Sequence, residues 1–125
     1  MTIRNNTELI VEEEDSFFRV RALDEERRDQ PLPTRLRKKT VYDAVFECWH
    51  QDQKYARTEH WLKATQWLAI LTEEVGEVAT EVLNVEFQSD KLAAVQNLRA
   101  ESVQVAAVAL RIVDAIDRGQ LLDEV

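Results

Sequence analysis

Apolar residues in the C-terminal two thirds of the chain recur at helical intervals. Trp61, Leu68, Leu71, Val75, Val78 and Val82 follow one another at steps of seven, three, four, three and four residues, the repeat that runs a stripe down one side of an α-helix. Thr58 precedes this run where a helix takes its cap. A helix is also predicted over about 41–55: Thr40 followed three residues later by Asp43 resembles a capping box, and Val41, Val45 and Trp49 then recur at i, i+4. The period breaks over Asn84–Asp90, where Ser89 and Asp90 offer caps, and a last helix is predicted from about 91 to 118 with Gly119 just past its end. Between Val103 and Val113 this helix is apolar almost all the way round. It must be enclosed by other helices, from this chain or a second one.

The first third reads differently. Residues 1–10 show little periodicity and are expected to form a loose arm. Val11–Gln30 is charged, with apolar content at Phe17, Phe18, Val20 and Leu23, and reads as a helix stopped by Pro31-Leu-Pro33. The basic run at 35–39 then reads as a solvated linker. The expected organisation is an N-terminal arm, possible helix and linker over 1–38, followed by a helical domain over 39–125.

Composition agrees with helices. Only two Gly and two Pro occur in 125 residues, of which 45% are hydrophobic, so an all-α helical bundle is expected, short enough that subunit association would complete its core. The formal charge of −8 argues against a nucleic-acid partner, which requires Lys and Arg to displace counterions from phosphates, and favours a divalent cation. Cys48 has no second cysteine for a disulfide or a thiolate zinc site, consistent with a reducing cytoplasm. No apolar run approaches the roughly 20 residues that span a bilayer, so a soluble protein with no membrane partner is expected.

Candidate chemistry lies in Leu71–Leu83, LTEEVGEVATEVL. Glu74 and Glu77 project from neighbouring places on one helix, with Glu73 beside Glu77 at i, i+4. Glu74 shares its side of the helix with Trp67, Ile70, Leu71 and Val78, at the border of the apolar stripe. On the last helix, steps of three, four and seven residues from Glu101 reach Ala94, Leu98, Val105 and Val108, with Asn97 and Gln104 as polar exceptions. Glu101 therefore points inward, and an inward carboxylate must be compensated. A metal ion would do so; so would an arginine such as Arg57 or Arg99. Acids from two facing helices offer the hard oxygen ligands that Mg²⁺ or Mn²⁺ prefers. His50 and His60 lack the spacing of paired helical ligands.

These stretches, LTEEVGEVATEVL followed by NLRAESVQVAAVAL, resemble the MazG-like all-α nucleoside triphosphate pyrophosphohydrolases, whose signature is E-E-x-x-E on one helix and E-x-x-D on a later one. The upstream WHQDQKYARTEHWLKATQWLAIL is similar to the family's lead-in, and the likeness covers about residues 41–117. It implies Glu74, Glu77 and Glu101 as magnesium ligands, with Glu73 as a second-metal ligand or the base that orients water. Gln104 stands in the fourth ligand position, where the family has Asp. The resemblance further implies a homodimer or homotetramer that hydrolyses a nucleoside triphosphate between its α- and β-phosphates. Lys54, Arg57, Lys63 and Arg111 become candidates for phosphate contact, and Trp61, Trp67 and Asn97 candidates for framing the base. A non-catalytic helical module that retains the fold is the competing expectation.

Overall fold

The computed structural model describes residues 9–22, 34–55 and 62–122. It divides into two compact units, residues 1–42 and 43–125.

In the first unit, β1 (Leu9–Glu13), β2 (Phe17–Ala22) and β3 (Thr34–Arg37) form an antiparallel sheet in the order β1-β2-β3. The helix expected over Val11–Gln30, the end of the loose arm expected over 1–10 and the linker expected at 35–39 are therefore corrected, where described, to the strands Leu9–Glu13, Phe17–Ala22 and Thr34–Arg37, with Lys38 and Lys39 in the helix that follows. The chain is mostly helical with a small sheet rather than all-α, and residues 23–33 lie outside the described residues. The physical reason is the period. Leu9, Val11, Phe18, Val20 and Leu36 fall on one face of the sheet by the pairing Leu9 with Ala22, Val11 with Val20 and Phe18 with Leu36, an alternation of two rather than 3.6. Aromatic and β-branched residues also favour the pleated surface. The β1–β2 connection closes with Glu14 N–H donating to the Phe17 carbonyl at 2.8 Å. Phe18 meets Tyr42 edge-on at 5.9 Å, and the Lys38 ammonium stands 5.6 Å from its ring centroid.

The helices are α1 (Lys38–Tyr55), α2 (Ala64–Phe87) and α3 (Lys91–Asp117). The cap expected at Thr58 and the start of the second helix, Trp61 included, lie outside the described residues. Within the described chain α2 begins after Lys63, whose N–H donates to Gln66 Oε1 at 2.7 Å, half of a capping box. The expected loop at 84–90 is shorter than its composition suggests, because α2 runs on to Phe87. Asp90 caps α3 by accepting from the Ala93 N–H at 3.0 Å. At the far end Gly119 takes φ 73°, with its N–H donating to Ile116 and that of Gln120 to Ala115 at 2.9 and 3.0 Å. This is a Schellman motif, the stop that a glycine just past the helix permits.

The second unit is held by α2 packing along α3. Trp67, Val108 and Ala115 are buried together, with Leu62, Ile70, Leu71, Ile112 and Leu121 against them. Helix α1 lies on another side of α3, where the Cys48 thiol donates to the Ala107 carbonyl at 3.6 Å and Arg99 pairs with Asp43 at 2.7 Å. Ala107 is wholly buried. Among the described residues, no helix is long and apolar enough to cross a membrane.

Candidate metal centre

Glu74 lies on α2 seven residues after Trp67, so two turns of helix return it to the face that packs on α3. There it is 8% exposed. Glu77 stands one turn on, at the open edge of the same face, and Glu101 is half-buried on α3. One carboxylate oxygen from each of the three lies within 4.8 Å of the other two. Oε2 of Glu74 and Oε2 of Glu101 are buried with no hydrogen-bond partner.

Such an arrangement is electrostatically incomplete. Three negative groups share a space from which water is partly withdrawn, so protonated forms are favoured. A proton shared with Glu77 is the main cause that raises Glu101 to about 7, with burial and the charges of Glu77, Glu74 and Glu81 adding to it. Burial raises Glu74, reinforced by the charges of Glu77 and Glu73; Lys54 opposes the rise. A compensating arginine is not found among the described residues. Arg99 is engaged by Asp43 at 2.7 Å, and Arg57 lies outside them. Two orphaned buried oxygens among three convergent carboxylates fit a hard divalent cation, which takes oxygen ligands of this kind.

The other candidates are placed as follows. Glu73 is exposed on α2, outside the convergent set but close enough for its charge to act on Glu74. Gln104 helps wall an open groove of about 310 Å³ between α1 and α3, with Asp43, Phe46 and His50, and its carbonyl accepts from Gln51 Nε2 at 3.2 Å. Asn97 is exposed one turn before Glu101. Lys54 places its charge where Glu74 feels it.

Trp67 and Arg111 are joined to each other. Trp67 is 7% exposed in the core, and the Arg111 guanidinium stands 5.1 Å from its ring centroid. Arg111 also pairs with Asp52 at 3.0 Å and donates to Gln51 Oε1 at 3.2 Å. This is an arginine tying α1 to α3 over an indole, a structural arrangement for both residues. His60 and Trp61 lie outside the described residues.

Two further residues belong to the site and its frame. Glu81 is half-buried and accepts from Asn84 Nδ2 at 3.3 Å, and its charge reaches Glu101. The sequence carries the signal, because Glu81 follows Glu77 by four and Glu74 by seven, the steps that keep a residue on one helical face. Gln51, 4% exposed, links Gln104 to Arg111; no pattern in the polar run around it marks it. No family model, curated protein or solved structure matches the chain.

Proposed function

We propose that the chain is a magnesium-dependent nucleotide pyrophosphohydrolase of the MazG-like kind, converting a nucleoside or deoxynucleoside triphosphate to the monophosphate and pyrophosphate in control of the nucleotide pool. The observation that carries this reading is the convergence of Glu74, Glu77 and Glu101 within 4.8 Å, with two buried oxygens unpartnered. The motif likeness supplies the chemistry; the helical unit that presents the motif is consistent with it.

Glu74, Glu77 and Glu101 would hold the ion, and Gln104, one turn beyond Glu101, would offer an amide oxygen. Bound there, Mg²⁺ (or Mn²⁺) neutralises phosphate charge and lowers the pKa of a water. Glu73 stands at the exposed rim and accepts a proton from the attacking water. The water oxygen bonds to the α-phosphorus as the α–β bridging oxygen leaves with pyrophosphate. Lys54 brings a positive charge to the Glu74 side, where a phosphate oxygen would meet it, and Asn97 borders the site from α3. Exposed Leu68, Val75 and Val82 on α2 and Val95, Val113 and Ile116 on α3 form apolar surface suited to a second copy of the chain, in keeping with a homodimer or homotetramer.

The test is magnesium-dependent release of pyrophosphate from a panel of standard and modified triphosphates, with Glu101→Gln as the control. Turnover that vanishes in the variant supports the reading; absence of turnover and of Mg²⁺ or Mn²⁺ binding in the unaltered protein overturns it. A second reading, a helical module without catalysis, draws on Gln104 in place of an acid and on the proton that Glu101 retains near neutrality. It predicts that Glu101→Gln stabilises the protein with no activity to lose.

A further inference from the structure

The charge of −8 is not spread along the chain. Residues 1–42 hold nine Arg and Lys against nine Asp and Glu, so the whole excess of acid lies in 43–125. The sheet then sorts the basic residues of the neutral part. By the pairings Ile10 with Arg21, Glu12 with Arg19, Arg19 with Arg35 and Phe17 with Arg37, one face carries Arg19, Arg21, Arg35 and Arg37 around Phe17, while Leu9, Val11, Phe18, Val20 and Leu36 take the other.

Only part of this positive charge is answered. Arg21 pairs with Glu12, and Arg35 meets Glu14 at a long 3.4 Å while remaining 55% exposed. Arg37 lies over the Phe17 ring, 5.7 Å from its centroid, and β3 is exposed throughout. Arg19 faces the Glu12 carboxylate across the strand pair but shares it with Arg21, and its Nε is buried without an acceptor. Arg19 and Arg35 are direct cross-strand neighbours, a like-charge pairing that is unfavourable unless an anion lies between them.

We propose that this arginine face of the β1-β2-β3 sheet binds single-stranded nucleic acid. Successive same-face residues along β2 stand about 6.6 Å apart, a repeat close to that between neighbouring phosphates of an extended polynucleotide. Four guanidinium groups and no lysine suit phosphate, because the planar fork donates two parallel hydrogen bonds. Phe17 adds a ring on which an unpaired base stacks. A duplex hides its bases from such a ring, and a lipid surface offers nothing for it to stack upon. This surface is independent of the carboxylate cluster and of the pyrophosphohydrolase reading.

The experiment is fluorescence anisotropy of the whole 125-residue chain with a labelled oligothymidylate of about a dozen residues. Engaging two or three phosphates gives a log–log salt slope of about −2 for a single strand. Arg19→Ala with Arg35→Ala is expected to weaken binding at least tenfold, with the circular dichroism spectrum unchanged. Glu12→Gln releases Arg21 and is expected to tighten binding two- to fivefold, a gain that misfolding cannot produce. The proposal is overturned by absence of binding at about 50 mM salt, by equal binding to a duplex of the same length, by preference for phosphatidylserine vesicles, or by a Glu12→Gln variant that binds no tighter.

Discussion

Glu77 on α2 and Glu101 on α3 stand close enough for one proton to be held between their carboxylates, and that contact raises Glu101 to about 7. The folded state without metal therefore binds a proton that the unfolded chain, with an ordinary glutamate, releases near 4.5. The stability that this proton contributes is fully present below about 4.5 and is lost as the pH rises through 7. Because the cluster opens to solvent at Glu77, a loss of about 1–2 kcal/mol is expected rather than the full shift converted at ~1.4 kcal/mol per unit. Thermal melts of the chelator-treated protein between pH 4.5 and 8 will show the decline, and millimolar Mg²⁺ at pH 8 will reverse it. A flat profile in chelator would refute the shared proton.

Glu81 is expected to act on the cluster through its charge rather than as a ligand. Replacing it with Gln keeps the acceptor for Asn84 Nδ2 and removes one negative neighbour of Glu101. Metal affinity should fall less than tenfold, against more than a hundredfold for Glu77→Gln, when Mn²⁺ binding is followed by electron paramagnetic resonance. Equal losses in the two variants would place Glu81 among the ligands.

Arg111 joins α1 to α3 through Asp52 and Gln51 and covers the Trp67 ring. Arg111→Ala is expected to destabilise the protein by about 2–3 kcal/mol, because it leaves Gln51 with a buried unsatisfied oxygen and uncovers the indole. Lysine should recover less than half of the loss, since an ammonium cannot serve the carboxylate, the amide and the ring together. Urea denaturation of the three proteins measures this, and full rescue by lysine would count against the geometry.

Ala107 is wholly buried, and its carbonyl receives the Cys48 thiol from α1. Ala107→Leu inserts a branched side chain where α1 approaches and should cost about 1–3 kcal/mol by overpacking. Ala106→Leu, one position round on the exposed side of α3, should cost under 0.5 kcal/mol. Comparable losses at the two positions would contradict the assigned face.

Where the sequence was legible, a single period governed the local structure. The apolar residues from Leu68 to Val82 and the run after Val103 do fall in the two helices that pack together, and Gly119 ends the second in the conformation glycine permits. The stripe expected to face the core is displaced, since Leu68, Val75 and Val82 are exposed and Trp67, Ile70, Leu71 and Glu74 make the packed face. The inward direction of Glu101 followed from its neighbours at three, four and seven residues. In Val11–Gln30 apolar content alone suggests a helix, whereas the alternation of Phe18, Val20 and Ala22 with Phe17, Arg19 and Arg21 marks the strand that forms. Arg111 and Trp67 illustrate a different limit: each is a plausible ligand contact by residue type, and only their meeting across the core reveals that they hold one another. Gln51 had no legible role, because its two partners lie more than fifty residues away.

Only three residues, 88–90, separate α2 from α3, with the Gln88 N–H returned to Asn84 at 2.8 Å and Asp90 fastened to Ala93. This connection works as a ruler. A residue added to or removed from so short an extended connection would change the height or the angle at which α3 meets α2. Either movement would carry Glu101 out of step with Glu74 while leaving both helices intact. The outer surfaces of the two helices can thus change without touching the cluster, whereas an insertion or deletion between Phe87 and Lys91 is expected to disturb it in a single step.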